Sequence, residues 1–240
     1  MKEKKLDRIV AMLVFCCVLF GCGKENNTII EPDKGAVFGT VIDLGTNDPV
    51  PNATVRLKPG YHSGEHIWIE NPSLKEQTWL TGYDGSFEFL DVEDGKYSLS
   101  VSKVGYDDLE DDFVIKVRNG ERIRRDVQIE KLPVVYTNEV TDIMSLGYTS
   151  WNVVNWSATF NGSVTAAGSP TYVERGFAYS SNPTYDECFV LVPGNGMGNY
   201  SKTVTGLSES KTYYVRAYVK SYSDQLIFGP TISFSIPRLK

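Results

Sequence analysis

Cysteine is scarce in this 240-residue chain: there are four, and Cys16, Cys17 and Cys22 fall within the first 22 residues. Cys188 stands alone in the remainder, so no disulfide can close a loop there, and apolar burial must hold whatever folds. Histidine is scarcer still, with only His62 and His66, so any metal site would have to be completed by carboxylates. A basic excess is also missing. The chain carries 24 Lys and Arg against 30 Asp and Glu, a net charge of −6, which disfavours nucleic acid and anionic lipid surfaces as partners. No apolar run reaches the ~20 residues that span a bilayer. Beyond the first 22 residues no stretch of twelve keeps a helical period, which leaves an all-β fold as the expectation.

The longest apolar run, residues 9–20, follows a basic start of Lys2, Lys4, Lys5 and Arg8. Its twelve residues fit the core of a cleaved export signal better than a membrane span. Leu19-Phe20-Gly21-Cys22 then resembles a bacterial lipobox, although Phe20 is bulkier than the residue usual there. The resemblance implies that residues 1–21 are removed and that Cys22 is acylated, anchoring the protein in a cell outer membrane. Loss of four basic and two acidic side chains would leave 20 against 28, a net charge of −8. Residues 22–34 are polar and aperiodic, as a flexible tether should be. Lys24-Glu25 looks like a weak form of the export signal of surface lipoproteins in Bacteroidetes.

Residues 35–132 read as about seven short strands separated by turn signals. Tyr83-Asp84-Gly85 predicts a hairpin between Trp79-Leu80-Thr81 and Ser86-Phe87-Glu88-Phe89-Leu90; Asp94-Gly95 and Asn119-Gly120 predict two further turns, the last between strands over 113–117 and 122–129. The count and spacing predict an antiparallel β-sandwich. Gly39-Thr40-Val41-Ile42-Asp43, Pro51-Asn52-Ala53-Thr54-Val55, Thr81-Gly82-Tyr83-Asp84-Gly85-Ser86-Phe87 and Val104-Gly105-Tyr106 resemble the carboxypeptidase regulatory-like domain. That resemblance implies a transthyretin-like sandwich without catalytic function. Residues 59–75 are about 17 extra, an inserted loop expected to be functional or disordered.

Residues 133–240 predict a second antiparallel sandwich. Val154, Trp156, Ala158 and Phe160 share one face of a strand, with Asn155, Ser157 and Thr159 opposite. Tyr213, Val215 and Ala217 face inward on a later strand, with Tyr214, Arg216 and Tyr218 outward. The latter strand resembles the penultimate one of fibronectin type III domains, which implies a corner tyrosine at Tyr213 whose hydroxyl bonds backbone upstream. Glu209 and Lys211 replace the proline and threonine usual there. Glu174-Arg175-Gly176-Phe177, Gly194-Asn195-Gly196-Met197-Gly198 and the strand around Tyr213 look like a variant found in surface lipoproteins of Bacteroidetes.

Chemistry-bearing motifs are few. His62-Ser63-Gly64-Glu65-His66 matches the string of inverted zinc peptidases, but that chemistry needs both imidazoles on one helical face. Pro59-Gly60 before it and the alternating Ile67-Trp68-Ile69-Glu70 after it predict a solvated loop instead. Asp107-Asp108-Leu109-Glu110-Asp111-Asp112 lacks the glycine-punctuated spacing of a calcium loop and reads as a solvated connection. The glycines of 194–198 precede an alternating stretch, not the helix a phosphate cradle requires. Cys188, within the alternating Glu187-Cys188-Phe189-Val190-Leu191, reads as a buried strand residue and not a reactive thiol.

No catalytic residues, metal or cofactor are expected. The candidate ligand contacts are aromatic: Tyr61, Trp68 and Trp79 in or beside the inserted loop, and Tyr214 and Tyr218 on an outward face, able to stack on sugar rings or anchor a protein. The expected function is a non-catalytic, lipid-anchored, surface-exposed lipoprotein that binds a protein or surface partner. The alternative is a glycan-binding component of an outer-membrane nutrient-uptake system.

Overall fold

The computed structural model describes residues 34–63, 67–110, 114–148, 154–182 and 187–239. The expected leader 1–21, the acyl site Cys22 and nearly all of the tether 22–34 lie outside the described residues. Within them the chain is all-β. Ten strands come first: β1 (Gly35–Asp43), β2 (Thr54–Ser63), β3 (Ile67–Glu70), β4 (Gln77–Leu80), β5 (Ser86–Val92), β6 (Gly95–Ser102), β7 (Leu109–Glu110), β8 (Ile115–Val117), β9 (Arg122–Arg124) and β10 (Val127–Ile129). Eight follow: β11 (Val134–Tyr148), β12 (Val154–Ala166), β13 (Glu174–Ser180), β14 (Cys188–Leu191), β15 (Gly198–Ser208), β16 (Thr212–Lys220), β17 (Leu226–Phe228) and β18 (Ile232–Ser235).

The first sandwich packs a sheet ordered β10-β1-β5, with β9 also on β1, against one ordered β3-β2-β6-β7, with β4 on β2 and β8 on β6. Its core forms because alternate residues of facing strands are apolar: Val37 and Val41 of β1, Val55 and Leu57 of β2, Phe89 of β5 and Leu99 of β6 are all fully buried or nearly so. Burial of each such side chain stabilises the fold by about 1.5–3 kcal/mol.

Two expectations about pairing are corrected. Tyr83-Asp84-Gly85 does make a tight turn, with the Gly85 N–H donating to the Gly82 carbonyl at 3.0 Å. The strands it joins are not a hairpin, however, because β4 pairs with β2 in one sheet and β5 with β1 in the other. The turns at Asp94-Gly95 and Asn119-Gly120 likewise carry the chain between sheets. Turn chemistry reverses the backbone without choosing the partner. Gly85, at φ +72°, is required: a Cβ there would lie 2.4 Å from the Val41 carbonyl oxygen.

The single strand expected over 122–129 is two strands, β9 and β10, both parallel to β1. The break at Arg125-Asp126 is pinned to β1: the Arg125 N–H donates to the Phe38 carbonyl at 2.7 Å, and Thr40 donates N–H and O–H to Asp126 Oδ1 at 2.9 and 2.8 Å. Gly39 makes the approach possible, since a Cβ would stand 1.9 Å from the Arg125 carbonyl oxygen. That obstacle is backbone and cannot swing aside. Gly39→Ala is therefore expected to destabilise the first sandwich by about 3 kcal/mol, the upper range for overpacking. Urea denaturation checks this, and an unchanged midpoint would show the crossing to be slack.

The second sandwich faces a β11-β12-β15 sheet with a β14-β13-β16-β17 sheet to which β18 adds on β16. Val154, Trp156, Ala158 and Phe160 of β12 are buried as the alternation predicts, and so are Tyr213, Val215 and Ala217 of β16. The Ser208 N–H donates to the Tyr213 hydroxyl at 3.0 Å, tying the corner upstream of β16 to its ring.

The two cores are separate apolar clusters, yet the sandwiches are joined by a dense polar seam. Lys131 and Ser169 exchange two backbone hydrogen bonds, at 3.0 and 2.8 Å. The carboxylate of Glu130, 4% exposed, accepts the N–H groups of Tyr222 and Ser223, each at 2.9 Å. Asp43, at the end of β1, accepts the N–H groups of Gly45 and Thr46 and a hydrogen bond from the Ser169 hydroxyl. Burial pushes the Asp43 carboxyl up, but hydrogen bonds from Ser169, Thr46, Gly45 and Tyr106 outweigh it and hold the group below its ordinary value.

Candidate functional site

The residues expected as a loop over 59–75 form a β-ribbon for much of their length. Strand β2 runs on to Ser63 and β3 returns beside it, with Gly60 opposite Glu70, Tyr61 opposite Ile69 and His62 opposite Trp68. The alternating Ile67-Trp68-Ile69-Glu70 is the sequence signal for this pairing, and ladder hydrogen bonds with β2 satisfy its backbone. Gly60 sits at φ +138° under the Trp68 indole; a Cβ there would lie 2.5 Å from Trp68 Cζ2. Trp68 therefore covers the ribbon's own backbone.

Tyr61 lines an open groove of about 670 Å³ together with Lys96, Lys116, Arg118, Asp94 and Asn119. The Lys96 ammonium lies 3.9 Å from the centre of the Tyr61 ring, a cation–π contact. The floor comes from the ends of β6 and β8, where Lys96 stands directly opposite Lys116 in the antiparallel register. Elsewhere on this sheet cations have acidic partners: Lys58 with Glu110 at 2.8 Å and Arg56 with Glu76 at 3.8 Å. Asp94 is held at the rim, where its Oδ2 accepts the Asn119 N–H at 3.2 Å.

The other expected ligand contacts do not converge on this groove. Trp79 is 42% exposed and lines a smaller groove of about 430 Å³ with Phe38 and Arg122. Arg122 there is already paired with Glu88 at 2.6 Å and lies 5.2 Å from the Phe38 ring centre. Tyr214 is half-buried on β16, opposite Ser180 and Ser233. Tyr218 departs from expectation: it does face away from Tyr213, but it is only 1% exposed. Its ring meets Phe189 edge-on at 5.4 Å and Phe228 at 6.2 Å, and its hydroxyl donates to Glu174 at 2.8 Å. Burial, then the Glu174 hydrogen bond and charge, raise its pKa. Period-two alternation assigns a side chain to a sheet face but does not say what covers that face.

The remaining motifs are built as follows among the described residues. His62 lies in a strand, so the helical geometry of a zinc peptidase is absent at that residue; Gly64, Glu65 and His66 lie outside the described residues. In the acidic run, Glu110 pairs with Lys58 and Asp107 Oδ2 accepts from the Ser223 hydroxyl at 3.4 Å, while Asp111 and Asp112 lie outside the described residues. Among the described residues no group of three or more His, Cys, Asp or Glu is placed to hold a metal ion. The 194–198 glycines connect β14 to β15, and the Gly196 carbonyl accepts from the Tyr172 hydroxyl at 2.7 Å. Cys188 is exposed, against the expectation of burial, because β14 borders its sheet and the half-buried position of the strand falls to Val190.

Sequence reasoning missed Lys96, Lys116 and Arg118. Their only signal was separate basic residues in or beside β6 and β8, and the pairing that unites them is not local.

Among solved structures, the chain is similar to a candidate carbohydrate-binding protein from Bacteroides uniformis, with 14% identity over 85% of this chain and 100% of that one and a TM-score of 0.31. It is similar also to a DUF3823 family protein from Parabacteroides merdae, at 14% identity, 85% and 100% coverage and a TM-score of 0.33. A third is the major pilin subunit of Bacillus cereus, at 11% identity, 85% and 69% coverage and a TM-score of 0.38. Likenesses this loose say nothing of ligand or activity. No curated protein matches. Within the first sandwich, residues 36–130 fit the carboxypeptidase regulatory-like domain.

Proposed function

We propose that the chain is a non-catalytic, lipid-anchored surface lipoprotein whose two sandwiches act as one stiff spacer, holding a binding surface clear of the outer membrane. The observation that carries this reading is the seam through Asp43, Glu130, Lys131 and Ser169, which replaces a flexible linker with part-buried, directional hydrogen bonds. Chain direction supports it. Gly35 begins β1 beside Val117 and Glu121, whereas β1 ends at the seam with Asp43. A tether ending at Gly35 would thus enter the first sandwich at the end away from the second. The second sandwich, with its Tyr213 corner, acts as a fibronectin type III-like extension.

Acyl mass on Cys22 of protein purified from its native membrane, with loss of membrane association in Cys22→Ala, is the expected result. A native N-terminus that retains residues 1–21 would overturn the anchoring. The second reading, a glycan-binding component of an uptake system, is favoured by the groove at Tyr61, which joins an aromatic ring to several polar and charged groups.

A further inference from the structure

We propose that the groove beside Tyr61 binds an acidic sugar, a pyranose bearing a carboxylate; the inference rests on the glycan-binding reading above. The carrying observation is the Lys96–Lys116 pair. Like charges directly opposite one another across an antiparallel pair are destabilising, and these two ammonium groups have no carboxylate within ion-pair distance among the described residues. Arg118, two residues along from Lys116, adds a third cation to the same groove. Lys58 and Arg56, on neighbouring parts of the same sheet, do have acidic partners. Cationic charge without an acidic partner among the described residues is therefore concentrated in the groove, and an anion lodged there would balance it.

The rest of the lining selects among anions. Asp94 and Glu70 are hydrogen-bond acceptors, and Asn71 and Asn119 supply amides that both donate and accept. A ligand that presents only negative charge would repel the two carboxylates, and an apolar one would leave the polar groups unpaired. A ring with several hydroxyls and one carboxylate satisfies both sets: hydroxyls donate to Asp94 and Glu70, while the carboxylate accepts from Lys96, Lys116 and Arg118. Tyr61 lines the groove with an aromatic ring that can meet the C–H face of the pyranose on the side the Lys96 ammonium does not cover. The volume of about 670 Å³ accommodates a short oligosaccharide.

Calorimetric titration of the purified full-length protein with trigalacturonic acid, and with uncharged maltotriose, tests the idea. Trigalacturonic acid is expected to bind with an affinity that falls as NaCl is raised. Lys116→Gln is expected to weaken it by about tenfold or more, the value of one charge-assisted hydrogen bond. The same substitution should raise the melting temperature of the free protein by about 2 °C as the like-charge contact is removed, which also shows that the variant folds. Maltotriose binding as tightly as the acid, or Lys116→Gln leaving affinity unchanged, overturns the acidic-sugar assignment and leaves the glycan reading standing. Binding of neither saccharide removes both.

Discussion

Phe160→Ala is expected to unfold the second sandwich at markedly lower denaturant, at a cost of about 3–5 kcal/mol. Phe160 is fully buried on β12, and its ring meets Phe177, Tyr179 and Phe234 together, with centroids 5.8, 5.2 and 5.7 Å away, all edge-on. Those partners come from β13 and β18 of the facing sheet, so truncation opens a cavity where the two sheets meet. Each edge-on ring pair is worth about 0.5–1.5 kcal/mol beyond area burial, and the three are not strictly additive because they share the Phe160 ring and because Tyr179 and Phe234 both meet Tyr213. Phe160→Leu keeps much of the volume without the aromatic edges and should fall between the parent and the alanine variant. Calorimetry resolves the effect by module, since the first sandwich has its own core. A loss below about 1 kcal/mol would mean that the sheets close over the gap.

Phe160 also shows what the sequence could reveal. Its burial was legible because strand alternation is a local pattern, and Val154, Trp156, Ala158 and Phe160 obey it. Tyr213 was legible for the same reason. The corrections share a different cause, which is that pairing partners are chosen by the whole fold. Tyr83-Asp84-Gly85 marks a reversal with equal force whether the flanking strands pair or separate into two sheets, as they do. Tyr218 lies on the face that alternation assigns, but Phe189 and Phe228, brought there by β14 and β17, cover it. The insert reads as a loop until β3 is seen to extend the sheet from β2. The groove was the least legible feature. Lys96 and Lys116 become neighbours only when β8 joins β6, and a charge opposed by its like is a pattern that no local reading seeks. Trp68, the strongest aromatic candidate by type, is occupied in covering Gly60.

The seam between the sandwiches yields the second large effect. Glu130→Ala removes the acceptor for the Tyr222 and Ser223 N–H groups. A hydrogen bond to a charged group contributes about 1.5–3 kcal/mol, and these two are part-buried beside the exposed Tyr222 and Ser223, so the junction should lose about 2–4 kcal/mol, discounted to the extent that water reaches the vacated site. Neither core is touched, so the cost should appear as weakened coupling: two thermal transitions that move apart, and amide relaxation showing the modules tumbling separately. Asp43 gives the seam a dependence on acidity that the cores lack. Its carboxyl titrates below the unfolded value of 3.8, so its contribution is fully present above that pH and disappears as pH falls through the lowered value. Acid should therefore loosen the junction in the parent, and more so in Glu130→Ala, where Asp43 and the Lys131–Ser169 backbone bridge remain to hold it. Parent-like tumbling in Glu130→Ala at neutral pH would assign the stiffness to that bridge instead.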